Sequence, residues 1–417
     1  MNILYFIPRY DASLMGNRIH TEVIAEWRAH GIQTDVITLT TGIRRLVTEI
    51  QEGIAVHRLP VGANRPLKLA NRALDALLHY PYLAGALLHY RRFLAQRRYD
   101  LLHVETSFPL GFIATLTPRA LQPPLALTLP GADIMAEPDY DYGYGRFASV
   151  RALLPWIFRR ADVIRADSPQ IKTLAVRLGA PPDRVVAIPY NITVDSFPAP
   201  GADLAQLRAQ ARAQIVAQHG LDPARPLIVS LNRLHPFKGF NYLVESVPAI
   251  RQSGLNPQVV IVGPNRSTPR YGDYGAYLRR RGEELGVADA LIFAGGVEHA
   301  MAQTYLAAAD VVVIASVAES FSRVVIEAAA VGTPVVVTRT TGASDYVNQK
   351  CGLVVEPRSA AAVAQALTTL LCDRPLWERF SAAAPHLAAE FSTTAIAARL
   401  LDLYRERVPA AFDKSRR

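Results

Sequence analysis

Cysteine is scarce in this chain of 417 residues, which contains only Cys351 and Cys372. Two cysteines so placed exclude a disulfide framework and a zinc site of paired cysteines, and they favour a reducing compartment. The stretch MNILYFIPRYD has no basic segment ahead of its apolar run, so it does not resemble a signal peptide. We therefore expect a cytoplasmic protein.

Long apolar runs and dinucleotide-type glycine motifs are also missing. The longest apolar candidate, residues 77–90, contains His79 and Pro81 and falls short of the roughly 20 residues that a membrane-spanning helix needs. No Gly-x-Gly-x-x-Gly string follows a strand-like run, which argues against a nicotinamide-dependent oxidoreductase. Because half of the residues are apolar, the sequence predicts a globular protein without a membrane span.

The net charge is positive, although the sequence has no basic tail. The chain has 45 Lys and Arg residues against 36 Asp and Glu residues, which gives a charge of +9. This surplus attracts anionic partners such as nucleotide phosphates or an acidic membrane face. We expect no nucleic-acid partner, since no binding motif for one accompanies the charge. The basic clusters that leave membrane contact open are Arg91, Arg92, Arg97, Arg98, Arg159, Arg160 and Arg165.

Short β-branched runs alternate with segments of helical length, which is typical of parallel strands joined by crossover helices. The chain also exceeds the usual size of one hydrophobic core. These features predict an α/β protein of two doubly wound, Rossmann-like domains that face a deep cleft. The N-terminal domain is placed at residues 1–196 and the C-terminal domain at residues 226–390.

Two further segments complete the predicted organisation. Residues 197–225 are bounded by proline and glycine around an alanine-rich stretch, which predicts a linker. Residues 391–417 are predicted as a C-terminal helix and tail, and this helix is a candidate for return to the first domain. Strands of the first half are predicted near residues 3–7, 35–39, 101–104, 125–129, 163–166 and 185–188.

Two glutamates stand in SVAESFSRVVIEAAAVGTPVVVT, residues 316–338, where a hydrophobic core needs neither. Glu319 follows a strand-like run and Glu327 falls in the first turns of the next helix, which Ser320 and Ser322 can cap. Ligands of open α/β sheets collect beyond the carboxyl ends of the strands. Because carboxylates accept hydrogen bonds from hydroxyl groups, the pair is predicted to bind a ribose and a hexose. The helix dipole alone favours an early glutamate by about 0.3–1 kcal/mol, which is the simpler explanation of Glu327.

Two cations follow a strand-like run in SLNRLHPFKGFNYLVES, residues 230–246. Arg233 can bind phosphate oxygens through two parallel hydrogen bonds, and Lys238 adds a mobile point charge. Charges of this kind usually belong to a solvated loop. Because they share the second half of the chain with the two glutamates, we predict that they bind a diphosphate.

These motifs resemble those of the family 4 glycosyltransferases, which use nucleotide sugars and have the two-domain GT-B fold. The resemblance covers nearly the whole chain. In the first half, GNRIHTEVIAEWRAHGIQTDVITLT is similar to the family's opening loop and helix, and IPYNITVDSF is similar to its interdomain segment. In the second half it rests on Arg233, Lys238-Gly239, VIVG ending at Gly263, IFAGGV around Gly295, and Glu319 and Glu327 followed by GTPVVVT.

The resemblance implies a retaining, hexosyltransferase-like enzyme of polysaccharide biosynthesis. It implies transfer from a UDP-sugar or GDP-sugar to a glycan, lipid-linked or small-molecule acceptor, with the acceptor on the N-terminal domain and the donor on the C-terminal domain. No cofactor and no metal is implied, since cations at the diphosphate stabilise the departing nucleotide. The implied catalytic residues are Arg233, Lys238 and Glu319, and the implied donor-binding residues are Gly16, Asn17, Gly263, Gly295, Ser320, Phe321, Ser322 and Glu327, the last on the ribose.

The chain departs from the family pattern at three positions. Met15-Gly16-Asn17 has one glycine where many relatives have two, and Asp345 stands where a glutamate is commoner. In TLPGADI, Pro130 stands where many relatives have a histidine beside the donor sugar. Because proline cannot donate a hydrogen bond, we expect altered sugar contacts, with Gly131 and Asp133 as the remaining candidates.

The loop AEPDYDYGYGRF contains Asp139 and Asp141 in a manganese-binding spacing of another fold, and we predict no metal here. Tyr140, Tyr142 and Tyr144 could stack on an acceptor sugar, although exposed loop tyrosines are common.

His20, on the first predicted helix, could face the cleft, whereas a lone histidine is more often packed. Residues 66–98 mix apolar residues with a basic end, as a membrane-surface or lipid-acceptor element does. Two helices that pack on their own sheet explain this segment more simply. Peripheral contact with the inner face of the membrane therefore stays an alternative.

Two other functions are compatible with this fold. One is a nucleotide-sugar epimerase, which product analysis would distinguish from a transferase. The other is a non-catalytic nucleotide-sugar-binding relative, which Pro130 supports and the presence of both glutamates and both cations opposes. The glycosyltransferase hypothesis requires Arg233, Lys238, Glu319 and Glu327 to lie on the same side of the C-terminal domain.

Overall fold

The computed structural model describes residues 1–62, 65–265, 267, 270 and 272–412. The chain divides into two compact units. Unit 1 comprises Met1–Tyr190 and Thr393–Arg417, and unit 2 comprises Asn191–Ser392. Residues 197–225, which we expected to be a linker, therefore lie inside unit 2, where most of them form a helix.

Unit 1 contains a mainly parallel sheet with helices between its strands. Its strands are β1 (Asn2–Phe6), β2 (Gln33–Thr40), β3 (Val47–Gln51), β4 (Ile54–Pro60), β5 (Leu101–Glu105), β6 (Leu125–Leu129), β7 (Val163–Ala166) and β8 (Val185–Ala187). Its first helices are α1 (Met15–Ala29), α2 (Arg65–Leu78), α3 (Leu83–Ala95), α4 (Phe112–Thr115), α5 (Ala148–Arg160) and α6 (Pro169–Arg177).

The strand order of unit 1 is β3-β4-β2-β1-β5-β6-β7-β8, and only the described pair β3-β4 is antiparallel. The order reverses between β1 and β5, which both run through the buried core. In open α/β sheets a crevice forms at such a reversal, beyond the carboxyl ends of the strands.

The hairpin of β3 and β4 was missed by the sequence analysis. Glu52 and Gly53 form its two-residue turn with φ angles of 47° and 72°. A turn with two positive φ angles matches the twist of paired strands, so the Glu-Gly pair between alternating runs was the available signal. The segment of residues 66–98 contains two helices, α2 and α3, on either side of Pro81, as the simpler of its two explanations predicted.

Unit 2 contains a second parallel sheet. Its strands are β9 (Leu227–Leu231), β10 (Gln258–Val262), β11 (Leu291–Gly295), β12 (Val311–Ile314), β13 (Val335–Thr338) and β14 (Gly352–Val355). Its helices are α7 (Leu204–His219), α8 (Phe240–Gln252), α9 (Tyr274–Glu284), α10 (His299–Ala308), α11 (Arg323–Ala330), α12 (Ser344–Val347), α13 (Ala360–Cys372) and α14 (Arg374–Ala389).

The strand order of unit 2 is β11-β10-β9-β12-β13-β14, with parallel pairing throughout the described strands. The valine-rich strands β10, β12 and β13 are buried along their whole length because helices cover both faces of the sheet. The reversal of strand order falls between β9 and β12. Loops that follow these two strands therefore meet at one edge.

The last described α-helix, α15 (Thr393–Arg407), belongs to unit 1. Its Ala397 carbonyl accepts a hydrogen bond of 3.1 Å from Trp27 Nε1 of α1. The ring of Tyr404 packs edge-on against Trp27, with ring centroids 6.0 Å apart. In the described part of the chain, no helix combines the length and the apolar character that crossing a membrane requires.

A close backbone contact joins the two loops at the reversal in unit 2. Gly239 has a φ of 70°, and a Cβ at this position would lie 1.9 Å from the Ala315 carbonyl oxygen. The Val317 amide donates a hydrogen bond of 2.8 Å to the Phe237 carbonyl. The turn that carries Lys238 therefore lies directly against the end of β12.

Replacing Gly239 by alanine is expected to destabilise unit 2 by at least about 2 kcal/mol more than the same change at Gly220. Gly220 has a φ of 61°, but no atom lies within 4 Å of a Cβ placed on it, so Gly220→Ala costs only the left-handed backbone strain of about 1 kcal/mol. Urea unfolding of both variants measures the difference. Equal destabilisation would show that the contact with Ala315 does not constrain the loop.

A buried carboxylate holds the corresponding loops of unit 1. Asp133 Oδ2 accepts hydrogen bonds from the amide and the hydroxyl of Ser107 at 2.6 and 2.7 Å, and Oδ1 accepts one from the Gly131 amide at 3.1 Å. Burial raises the pKa of Asp133 to about 6, and these hydrogen bonds only partly offset the effect. The loop after β6 is thereby fixed to the loop after β5.

The raised pKa of Asp133 predicts a specific pH dependence of stability. A folded pKa of about 6 against 3.8 in the unfolded chain means that protonation stabilises the fold below pH 3.8 and that this contribution is lost as the pH rises through 6. Between pH 5 and 7.5, the free energy of unfolding of the wild type should fall by about 1 kcal/mol relative to Asp133→Asn. Parallel urea titrations at both pH values test this, and parallel pH profiles for the two proteins would contradict it.

Candidate active site

The loops after β9 and β12 bring a cation and an acid together in unit 2. Lys238 Nζ forms an ion pair with Glu319 Oε2, and the two side chains are only 8% and 13% exposed. Lys238 Nζ also lies 4.7 Å from the centroid of the Phe237 ring. The arrangement leaves a shielded cation and carboxylate side by side at the carboxyl edge of the sheet.

The backbone around Glu319 is held by the loop that follows β13. The Glu319 amide donates to the Thr340 carbonyl at 3.2 Å, and the Glu319 carbonyl accepts from the Gly342 amide at 3.1 Å. The hydroxyls of Thr338 and Thr340 donate to the Ser316 carbonyl at 2.6 and 2.8 Å. These two threonines were not predicted from the sequence, although their place directly at the end of β13 was a usable signal.

Glu327 lies in α11 and is 7% exposed. Its carboxylate has no hydrogen-bond or ion-pair partner among the residues that the structure describes. A buried carboxylate without a partner is costly, so a ligand that donates hydrogen bonds to it would bind favourably.

The residue before α11 differs from the sequence-based expectation. Ser322 adopts a φ of 75°, and its side chain makes no capping hydrogen bond to α11, so the predicted cap is wrong. Its hydroxyl is buried and has no partner within the described part of the chain. Ser320 is partly exposed beside it. Strained backbone and unpaired polar groups of this kind occur preferentially at ligand sites.

Arg233 is exposed in the loop after β9, and its guanidinium forms no ion pair with a described carboxylate. The backbone of Gly263 packs directly against this loop, since a Cβ at Gly263 would lie 1.8 Å from the Asn232 carbonyl oxygen. The Gly263 amide in turn donates to the Gly295 carbonyl at 2.7 Å. The two glycines thus support the loop with their backbones.

His235 stands between the two cations in the sequence and was not selected by sequence analysis. Partial burial lowers the pKa of His235, and the charges of Arg233 and Lys238 lower it further. Arg233 and Lys238 place two positive charges in this loop, which makes it a suitable place for an anion.

Phe321 does not lie at the surface of this site. Its ring is 2% exposed and packs against Phe391 and Tyr346, with ring centroids 5.6 and 6.0 Å away. Its side chain thus belongs to the core of unit 2, so the predicted contact of Phe321 with a donor would have to come from its backbone.

In unit 1, the predicted residues Gly16 and Asn17 form the first turn of α1. Gly16 is exposed, with no atom within 4 Å of a Cβ placed on it. Asn17 Nδ2 donates to the Arg9 carbonyl at 3.1 Å and so shapes the loop after β1.

His20 belongs to a buried polar cluster around Glu105, a residue that sequence analysis missed. Tyr5 and Tyr190 donate hydrogen bonds to the Glu105 carboxylate, and His20 Nδ1 lies 2.8 Å from the Tyr5 hydroxyl. Burial raises the pKa of Glu105, but a hydrogen bond from His103 and nearby positive charges outweigh it, so the net shift is downward. The packed interpretation of His20 therefore agrees with the structure.

Gly131 and Asp133 fix the loop after β6 from within, whereas Tyr140 and Tyr142 lie in the adjoining loop. The backbones of Glu137 and Tyr142 pair with each other at 3.0 and 3.1 Å. Tyr144, and neither of the other two tyrosines, lines a cavity of about 330 Å³ at the carboxyl edge of the sheet.

Several arginines of the basic clusters bind backbone carbonyls of unit 1. Arg91 donates to the Leu116 carbonyl, Arg160 to that of Thr117 at 3.3 Å, and Arg165 to that of Ile188 at 2.8 Å. These arginines stabilise the fold of unit 1, so their presence in the sequence does not by itself indicate contact with a membrane.

Comparison with known proteins identifies both halves of the chain. The sequence family described as glycosyl transferases group 1 matches residues 211–387, and the glycosyl transferase 4-like domain matches residues 16–191. The sucrose-phosphate synthase of Thermosynechococcus elongatus has a similar structure, with a TM-score of 0.75, 23% identity, and coverage of 98% of this chain and 99% of that one.

Two curated relatives span most of the sequence. A GDP-mannose-dependent alpha-(1-6)-phosphatidylinositol monomannoside mannosyltransferase of Mycobacterium tuberculosis is 29% identical over 76% of this chain and 78% of its own length. A D-inositol 3-phosphate glycosyltransferase of Kineococcus radiotolerans is 28% identical over 93% of this chain and 89% of its own length. The two matching domain families together account for most of the chain, and the protein therefore belongs to the family 4 glycosyltransferases, which have the GT-B fold.

Proposed function

We propose that this glycosyltransferase takes its sugar from a GDP-sugar or UDP-sugar bound at the carboxyl edge of the sheet in unit 2, and that it transfers the sugar with retention. The observation that carries the proposal is the pair of Lys238 and Glu319, followed in the next helix by the buried Glu327, whose carboxylate has no partner among the described residues. The mycobacterial relative is named as GDP-mannose-dependent, which favours the guanosine form.

Each residue has a distinct role in this proposal. Arg233 and Lys238 bind the diphosphate, and Glu327 accepts hydrogen bonds from the ribose hydroxyls. Glu319 keeps lone pairs free beside its ion pair and accepts hydrogen bonds from the transferred sugar.

The same cations would promote the chemical step. The bond between the anomeric carbon and the diphosphate oxygen breaks, and its electron pair moves to the diphosphate, where Arg233 and Lys238 stabilise the growing negative charge. The acceptor hydroxyl oxygen forms the new bond, and its proton passes to the departing nucleotide. The two side chains supply this charge without a metal in the proposed mechanism.

Relatives differ in the acceptor that their names specify, which is a phosphatidylinositol mannoside in one and an inositol phosphate in the other. We propose a carbohydrate-type acceptor, free or lipid-linked, bound by unit 1. Helix α2 exposes Leu69 and Leu77 by 71% and 60%, which would suit peripheral contact with a membrane surface.

Substitutions at the donor site are expected to weaken nucleotide binding selectively. Of GDP and UDP, the ligand that raises the melting temperature more is chosen for calorimetry, since binding stabilises the folded protein. Glu327→Gln should lower the affinity of the protein for this nucleotide at least about tenfold, because hydrogen bonds to a charged group contribute roughly 1.5–3 kcal/mol. Lys238→Ala should weaken binding of the nucleoside diphosphate much more than binding of the monophosphate of the same nucleoside.

Matched controls are available on the surface of unit 2. Glu283→Gln and Lys350→Ala remove the same charges at exposed positions and should leave both affinities unchanged. Wild-type affinity in Glu327→Gln and Lys238→Ala would place the nucleotide elsewhere.

Retention predicts the configuration of the first product. Slow hydrolysis of an α-configured UDP-glucose or GDP-mannose donor should release the α-anomer before mutarotation. Proton NMR during the first minutes identifies the anomer. Initial release of the β-anomer would refute retention and would leave the donor site unaffected.

A further inference from the structure

Two neighbouring cavities open at the carboxyl edge of the sheet in unit 1. The first, here called the aromatic cavity, measures about 330 Å³ and is lined by the rings of Tyr80, Tyr82, Phe108 and Tyr144. The second, here called the basic cavity, measures about 700 Å³ and contains Lys68 and Arg72 of α2. Thr41, Val61 and Tyr82 line both, so the cavities adjoin.

The aromatic cavity has the chemistry of a site for a polyhydroxylated ring. Its aromatic side chains meet edge to face, with centroids 5.2 Å apart for Phe108 and Tyr144 and 5.9 Å for Tyr80 and Tyr82. Such rings offer apolar faces to the C–H groups of a sugar or polyol, and the tyrosines add hydroxyl groups. Burial raises the pKa of Tyr80 and Tyr144, so both hydroxyls stay protonated donors.

Polar groups on the wall of this cavity are available for hydroxyl groups of a ligand. The hydroxyl of Thr106 is buried and has no hydrogen-bond partner in the part of the chain that the structure describes. Asp133 lines the same cavity and can accept further hydrogen bonds. No Lys or Arg belongs to the described lining of the aromatic cavity, so a phosphate has no counter-charge there.

The basic cavity supplies that counter-charge. Lys68 and Arg72 are four residues apart on α2, which places them on one face of the helix. Both are exposed, and neither forms an ion pair with a carboxylate of the described residues. Asp75 is the one acidic residue of the described lining, so the cavity keeps a positive balance.

We infer that the two cavities bind the acceptor as a phosphorylated polyol or sugar. Its ring enters the aromatic cavity, and its phosphate contacts Lys68 and Arg72. The inference rests on the proposed function, because it assigns the acceptor of the same reaction. A free sugar phosphate and the headgroup of a phospholipid share this chemistry.

Calorimetry with paired probes tests the assignment. The probes are myo-inositol 1-phosphate, glucose 6-phosphate and glycerol 3-phosphate, each compared with its unphosphorylated form. At least one cyclic phosphate should bind at least tenfold more tightly than its unphosphorylated form and than glycerol 3-phosphate. Lys68→Ala/Arg72→Ala should abolish the gain in affinity that the phosphate gives. Tyr82→Ala should lower the affinity for both the phosphorylated and the unphosphorylated form about fivefold.

The control is Lys172→Ala/Arg177→Ala on α6, which removes the same charges outside both cavities and should change nothing. Nucleotide binding in unit 2 is measured in every variant and should stay at the wild-type value, so failure of the acceptor site is distinguished from failure of the donor site. The inference is overturned if no cyclic phosphate gains affinity from its phosphate, or if the gain survives in Lys68→Ala/Arg72→Ala.

Vesicles distinguish the two sources of the phosphate. Co-sedimentation of the protein is measured with phosphatidylinositol, phosphatidylglycerol and phosphatidylcholine vesicles. A lipid headgroup is identified if the protein binds only the phosphatidylinositol vesicles and if Lys68→Ala/Arg72→Ala abolishes this binding. Binding of soluble probes without vesicle binding identifies a free phosphate. Equal binding of phosphatidylinositol and phosphatidylglycerol vesicles without any soluble cyclic phosphate would show a general anionic surface and would refute ring recognition.

Discussion

The approach of the Lys238–Gly239 turn to the end of β12 is the constraint on which the donor site depends. Because Gly239 has no side chain, the turn lies against the Ala315 carbonyl, and Lys238 reaches Glu319. The loop after β13 then holds the backbone of Glu319. A shielded ion pair contributes little net stability, since desolvation offsets most of its attraction. Its presence at the reversal of strand order is better explained by a ligand that uses both charges.

Buried carboxylates serve different purposes in the two units. In unit 1, a hydrogen bond from His103 and nearby positive charges outweigh the effect of burial and lower the pKa of Glu105, whereas burial outweighs the hydrogen bonds to Asp133 and raises its pKa. Both accept several hydrogen bonds within unit 1 and fix the ends of β5 and β6. In unit 2, Glu327 is also buried but has no partner among the described residues, so its hydrogen-bonding capacity remains available to a ligand.

The two units carry complementary chemistry for glycosyl transfer. Unit 2 presents cations and acids of the kind that bind a diphosphate and sugar hydroxyls. Unit 1 presents aromatic rings with a basic border, which suits a ring that bears an anionic group. The family assignment fixes the reaction class, and the proposed identity of each substrate follows from these separate surfaces. Several arginines that were candidates for membrane contact in the sequence instead donate hydrogen bonds to backbone carbonyls within unit 1.

The sequence by itself determined the fold class, both parallel sheets and the residues at the carboxyl edge of the second sheet. This was possible because buried strands, helix lengths and loop charges follow from patterns of residues that are close together in the chain. It did not reveal the β3–β4 hairpin, the Glu105 cluster or the core position of Phe321. Only the tertiary structure decided that Lys238 meets Glu319, that Glu327 lacks a described partner and that Tyr82 joins two cavities. These facts depend on contacts between segments distant in the chain, and local patterns contain no information on such distances.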